Sequence, residues 1–139
     1  MPRDLQYRLG NDLELDQVIE LYHQSTLGER RPVEDRACMA EMLERANLVV
    51  TAWDRNRLVG ISRSLTDFCY VAYLADLAVH HDYQRSGIGK ALVEHTRAAL
   101  GPKALIVLLA APAAVDYYPH IGFQHHPQAW ILHPTDRLG

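Results

Sequence analysis

The sequence predicts a single α/β domain, residues 1–139, with a mixed central β-sheet flanked by about four helices. The prediction rests on helical periodicity in the N-terminal third, a run of β-rich segments in the middle, and a helix–strand alternation after Ser86. With 139 residues the chain has room for one core and can bury about 70% of its unfolded surface without disulfides or metal. Its 48% hydrophobic and 22% charged residues exclude a disordered, collagen-like or disulfide-scaffold protein. It shows no internal repeat, low-complexity stretch or Pro/Gly/Ser-rich linker.

From about Leu13 to Ser25, Leu15, Val18, Ile19 and Tyr22 recur at helical spacing, and Asn11 three residues before Glu14 reads as a capping-box start. Leu27 to Pro32 reads as a loop, and a second helix is expected over Val33 to Ala46 with Met39, Met42, Leu43 and Ala46 on one face. Leu48–Trp53 and Leu58–Leu65 flank the polar turn Asp54-Arg55-Asn56-Arg57 and make a hairpin. Tyr70 to Val79 is a third strand. Around Ser86 the period changes, with Ile88, Ala91, Leu92, His95 and Ala99 on a helix that Gly101-Pro102 stops. Leu105–Leu109 reads as a buried strand, Ala113–Tyr118 as a short helix ended by Pro119, and Phe123–Leu132 as further strand.

Fourteen basic against seventeen acidic residues give a net charge of −3, without the basic footprint of a nucleic-acid binder. Cys38 and Cys69 form no CxxC pair, which points to a reducing compartment. Met1-Pro2-Arg3-Asp4-Leu5 lacks the apolar stretch of a signal peptide, and the apolar run Ala104–Val115 is too short to cross a bilayer. A cytoplasmic protein that binds neither nucleic acid nor membrane is the expectation.

The segment from Leu77 through His80-His81-Asp82-Tyr83 to Gln84-Arg85-Ser86-Gly87-Ile88-Gly89-Lys90-Ala91-Leu92 ends a strand, turns, and opens a helix on two glycines. The first helical turn has unpaired N–H groups and partial positive charge, so it suits a phosphate, and glycine removes the Cβ atoms that would hold a pyrophosphate away. Arg85 and Lys90 add positive charge at the same end. A Walker A loop would need Gly at Gln84 and Ser or Thr at Ala91, and a GxGxxG dinucleotide fingerprint would need a small residue at Leu92. Both are excluded.

Gln84 to Gly89 instead resembles the (Q/R)xxGx(G/A) signature of the GCN5-related N-acetyltransferase (GNAT) superfamily. Leu74–Val79 resembles that family's central strand. Tyr118-Pro119-His120-Ile121-Gly122-Phe123 resembles its YxxxGF element, with Ala114 at the expected small position. Three elements in the family's order cover nearly the whole chain, which looks like a small bacterial-type single-domain member. The resemblance implies a GNAT fold with splayed central strands, acetyl-CoA as donor, and direct transfer to a primary amine. It places the pantetheine arm against the backbone of Leu77 and Val79, and the pyrophosphate on Gln84, Arg85, Ser86, Gly87, Ile88, Gly89 and Lys90. One departure is Ala111, where many members carry an Asn near the pantetheine. A homodimer is a further implication.

Tyr118 matches the family tyrosine that protonates or hydrogen-bonds the leaving thiolate. With a phenol pKa of about 10 and a thiol pKa of about 8.5, full proton transfer is uphill by only about 2 kcal/mol. An amine of lysine-like pKa costs about 4 kcal/mol to deprotonate at neutral pH, so a carboxylate or water relay would help. Asp76, mid-strand, is either hydrogen-bonded structurally or exposed in the splay as the base. Asp67 is a second carboxylate candidate, or else a strand-end turn residue.

In this family the acceptor pocket is built from the first two helices, their loop and the hairpin. Tyr22, Arg30, Arg31, Asp67, Phe68, Tyr70 and Trp130 are therefore its candidates, and the two arginines would suit an acceptor carrying a carboxylate or phosphate. The adjacent pairs His80-His81 and His125-His126 would point to opposite faces of a strand, so no metal site is expected, and His95 reads as a core residue. Cys69 has no assignable partner as a nucleophile. Three other readings stay open: a non-catalytic acyl-CoA-binding or interaction module on this fold, a protein lysine or N-terminal acetyltransferase, and transfer of a longer acyl group.

Overall fold

A computed structural model describes residues 4–139, so Met1-Pro2-Arg3 lie outside the described residues. The chain falls into two units, Met1–Leu109 and Ala110–Gly139.

In the first unit five strands lie side by side in chain order: β1 (Gln6–Leu9), β2 (Leu48–Asp54), β3 (Arg57–Thr66), β4 (Val71–Val79) and β5 (Leu105–Val107). The first three pairings are antiparallel and β4 pairs with β5 in parallel, so the sheet is mixed. Helix α1 (Leu15–His23) buries Val18, Leu21 and Tyr22, and α2 (Arg36–Arg45) buries Met39 and Leu43. Both cover one sheet face, meeting Val49, Trp53, Ile61 and Ala78. Helix α3 (Ile88–Ala98) covers the other, where Ile88 and Leu92 join Val50, Ala52, Val59 and Tyr83. Alternation along β2 supplies both layers.

Gly60 sets the seat of α3. A Cβ there would lie 3.1 Å from both Ile88 Cγ2 and Leu92 Cδ1, so the helix packs against bare backbone. Ser62 and Thr96 add a buried hydroxyl pair at 2.6 Å, and Thr96 also donates to the Leu92 carbonyl.

Several expectations are corrected. The chain opens with a strand, β1, outside the expected elements: Leu5, Tyr7 and Leu9 alternate with Gln6 and Arg8, Leu5 and Tyr7 pack against the α3-side core, and the strand pairs with β2. Asn11 does not cap α1. Its amide donates to the Leu43 and Ala46 carbonyls and so ties off the end of α2, while Asp35 caps the start of α2 by accepting from the Cys38 N–H. His95 is exposed and stacks on Tyr7 at 4.8 Å, and Thr96 takes the core position instead.

In the second unit a 3-10 turn (Pro112–Ala114) precedes α4 (Tyr117–His120). Pro119 does not end this helix. It is the third helical residue, where an N–H would have no partner anyway. Phe123 donates its N–H to the Tyr118 carbonyl at 2.9 Å, and the two rings meet edge to face at 5.4 Å. The strand expected over Phe123–Leu132 does not form: Pro127 within it has no N–H to give a ladder, and Trp130, Ile131 and Leu132 are exposed.

Candidate active site

The site begins with an interruption in strand pairing. β5 meets β4 only at Val71, Ala72 and Tyr73, while β4 continues to Val79 along β3. Among the described residues no strand pairs with the other edge of Leu74–Val79. The β3 ladder also shifts register, with Arg63 opposite Asp76 and Ser64 opposite Leu74, which leaves Ala75 as the bulged residue. His80 donates its N–H to the Val59 carbonyl. By alternation Ala78 faces β3, whereas the backbone groups of Leu77 and Val79 face the open edge. These are the groups against which the family resemblance places the pantetheine arm.

Past Val79 the chain makes a 3-10 turn (His81–Tyr83) and enters α3. Tyr83 anchors this turn from below: it is buried among Ile88 and Leu92, and its hydroxyl donates to Asp54. Gln84 sends its side-chain amide back to the Val79 carbonyl at 3.0 Å. Ser86 spends its hydroxyl proton on the Tyr83 carbonyl. Gly87 is the N-cap at φ 85°, without a side chain to cap the helix, and the space a Cβ would occupy is open. Arg85 also sits at positive φ, 63°. The first helical bond runs from the Ala91 N–H to the Gly87 carbonyl, which leaves the N–H groups of Ile88, Gly89 and Lys90 without helical partners. Ile88 and Gly89 are buried, whereas Arg85 and Lys90 project into solvent. This uncapped, glycine-opened cradle with two cations at its rim fits a pyrophosphate.

Midway along β4 lies a charged cluster. The Asp76 side chain is fully buried. Its Oδ1 accepts from Arg31 Nε at 2.5 Å, and its Oδ2 from Arg63 Nε and the Tyr22 hydroxyl, both at 2.6 Å. Burial pushes the Asp76 carboxyl up, but Arg63, Tyr22 and Arg31 together hold it below the ordinary range. Burial and the neighbouring carboxylate push the Tyr22 phenol well above its ordinary value. Asp76 is therefore not the exposed carboxylate that a base requires: its lone pairs are committed and its proton affinity is reduced. Tyr22 does not line an open pocket either, because its hydroxyl is spent inside the same cluster. Arg31 reaches further, donating from Nη2 to the bulged Ala75 carbonyl and from Nη1 to the Arg30 carbonyl, both at 2.9 Å.

Asp67, Phe68 and Tyr70 form the turn before β4, at the far end of that strand from the glycines. Asp67 Oδ1 accepts the N–H groups of Cys69, Tyr70 and Val71, which lowers its pKa and makes it a turn-forming residue. Phe68 (at φ 64°) and Tyr70 are exposed on that turn, and Arg30 is exposed beside Arg31. Tyr118 and Trp130 belong to the second unit, where Tyr118 is half-buried between Tyr117 and Phe123 and Trp130 is 93% exposed.

The rings of His80 and His81 stack at 4.5 Å instead of facing apart, because β4 has already ended at Val79. With Asp82 they bring ligand atoms within 4.8 Å of one another. Both His80 nitrogens are engaged, one by the Asp82 N–H and one by Arg57, and burial with the Arg57 charge lowers its pKa.

Sequence reasoning missed Arg63, whose partner in the cluster is set by strand register, and Tyr83. Both lie in segments read only as strand or turn. Among the described residues no helix is long and apolar enough to cross a membrane.

Comparison with known proteins agrees with this geometry. Residues 22–130 match the family model described as Acetyltransferase (GNAT) domain. The chain is 30% identical over 135 residues to the "Uncharacterized N-acetyltransferase ycf52-like" of Prochlorococcus marinus, covering 93% of this chain and 67% of that protein. It superposes on an acetyltransferase of the GNAT family from Streptococcus pneumoniae with a TM-score of 0.70 at 23% identity, covering 92% and 98% of the two chains. An aminoglycoside N-acetyltransferase in complex with CoA superposes at a TM-score of 0.72 and 14% identity, covering 98% of each chain. With a family model spanning most of its length and a β4 edge that opens into an uncapped glycine turn, the chain belongs to the GNAT acetyltransferase family.

Proposed function

We propose that this protein transfers an acetyl group from acetyl-CoA directly to a primary amine of a small molecule. The observation that carries the reading is the continuity of the open β4 edge with the glycine-opened start of α3. An extended pantetheine arm can pair with Leu77 and Val79 while its pyrophosphate sits on the α3 N-terminus. The shared fold of a protein solved with CoA supports the same donor.

Gln84 to Lys90 hold the pyrophosphate, mainly through the N–H groups of Ile88, Gly89 and Lys90, with Arg85 and Lys90 supplying charge. Gln84 acts partly at one remove, by fixing the Val79 carbonyl. The donor supplies an activated thioester. The protein polarises its carbonyl with edge N–H groups of β4, which are preorganised and need no rearrangement as charge develops. Tyr118 gives its phenolic proton, or a hydrogen bond, to the departing sulfur. With Asp76 committed to its arginines, the amine proton leaves through water.

Calorimetric titration with acetyl-CoA, free CoA and NADH tests the cofactor reading. Micromolar binding of the CoA species without NADH binding is expected, and absence of CoA binding would overturn the reading. Release of free thiol from acetyl-CoA in the presence of an amine panel then separates an enzyme from a binding module. Tyr118→Phe is expected to lower kcat by about a hundredfold with little change in acetyl-CoA affinity. Unchanged turnover would remove the role given to Tyr118.

A further inference from the structure

The cluster around Asp76 is out of charge balance. One carboxylate faces two guanidinium groups, and the raised pKa of Tyr22 keeps that phenol neutral. Asp76 is fully buried, the Arg63 side chain is only 10% exposed and that of Arg31 is 23% exposed. A net positive charge in so sheltered a place carries a desolvation cost that a second anion would offset. Arg63, on β3, is nearly buried and donates to Asp76 and to the Met42 carbonyl. Arg31 is the member that solvent reaches. Three of its five N–H groups are taken, by Asp76, the Ala75 carbonyl and the Arg30 carbonyl, which leaves two for a ligand.

The position of Arg31 matters as much as its charge. Ala75 lies two residues before Leu77 and four before Val79, on the edge that β5 leaves unpaired. At strand rise that is about 13 Å from Val79, in the direction leading away from the glycine turn. A pantetheine arm running from that turn past Val79 and Leu77 points its acyl end toward Ala75. The Arg31 guanidinium is bonded to the Ala75 carbonyl and held in one orientation by Asp76.

Building on the acetyl-transfer reading, we propose that the acceptor amine carries an anionic group, a carboxylate or a phosphate, and that Arg31 receives it. The planar guanidinium offers its two remaining N–H groups to the anion, which restores charge balance in the cluster. The amine of the same molecule is thereby directed to the acyl end.

The test is a thiol-release assay with acetyl-CoA and matched acceptors: glycine, β-alanine, 4-aminobutyrate and O-phosphoethanolamine against glycinamide, β-alaninamide, 4-aminobutanamide and ethanolamine. At least one anionic acceptor is expected to exceed its neutral partner in kcat/KM by about tenfold or more. The best carboxylate and the phosphate compared directly tell which anion is read. In Arg31→Gln the preference is expected to collapse to about twofold while acetyl-CoA affinity by calorimetry is retained. A purely structural Arg31 would lower both members of each pair equally. The wild-type comparison decides even where Arg31→Gln fails to fold. If acetyl-CoA binds and the neutral partners are used as well or better, or no acceptor of either kind is acetylated, the anionic-acceptor inference is overturned and the cofactor reading stands. If acetyl-CoA does not bind, the cofactor reading fails and takes this inference with it.

Discussion

At its start β4 follows a turn in which one oxygen of Asp67 gathers the N–H groups of Cys69, Tyr70 and Val71 at 3.0, 2.8 and 3.1 Å. At its end the chain enters α3 through Gly87, and no side chain caps the N–H groups of the first helical turn. Both places set several backbone donors in one direction. The first satisfies them from within and is a closed structural device. The second leaves them open, with room where a Cβ would stand, and is therefore available to an anion. A carboxylate in a turn and a glycine in a turn thus carry opposite meanings, and which one is present tells a structural turn from a binding one.

The largest effect is expected between the two ends. Asp76→Ala strands two guanidinium groups in the interior and should cost about 3–5 kcal/mol in unfolding free energy by denaturant titration. Because the folded pKa of Asp76 is depressed, its contribution is complete above the unfolded value of about 3.9 and is lost as pH falls through the lower folded value. Acid titration of wild type against Asp76→Asn should show that dependence only in the wild type.

Next comes the open end. Gly87→Val puts a branched side chain into the cradle at a left-handed φ, and should weaken acetyl-CoA binding by about tenfold to a hundredfold, about 1.4–2.8 kcal/mol by calorimetry. Retained affinity would break the comparison at its binding end. The smallest effect belongs to the closed end. Asp67→Ala should lower the denaturant midpoint while acetyl-CoA affinity stays unchanged. An equal loss of affinity there would show that the two turns are not distinct in function. Asp67 also has a depressed folded pKa, so its stabilisation fades only as pH drops below the ordinary carboxylate range.

What the chain reveals before folding follows the range of the interactions. Gly87 and Gly89 were legible because a helix N-terminus is a local structure, and the hairpin around Arg55 because turn chemistry is local too. The Asp76 cluster was not, since Tyr22 and Arg31 lie 54 and 45 residues away and only the docking of α1 and its following loop brings them in. Asn11 misled for the same reason: its spacing to Glu14 suits a cap, but a partner 32 residues on, Leu43, claims its amide. β1 escaped notice although Leu5, Tyr7 and Leu9 alternate with Gln6 and Arg8, because so short a run is a strand only once β2 pairs with it, and the strand expected over Phe123–Leu132 fails because a local segment says nothing about whether a partner strand is available.

The hydrogen bond from Gln84 to the Val79 carbonyl has a consequence beyond the site. An unpaired strand edge inside a sheet invites foreign chains to add to it, which is the usual beginning of sheet-to-sheet aggregation. Here the exposed stretch is short, is interrupted at Ala75 by a carbonyl bonded to Arg31, and is stopped at Val79 by a carbonyl bonded to Gln84. An intruding polypeptide would meet an acceptor already occupied at each end and could not extend its ladder in either direction. The same two side chains that frame a slot for one slender ligand keep that slot from becoming a sticky edge.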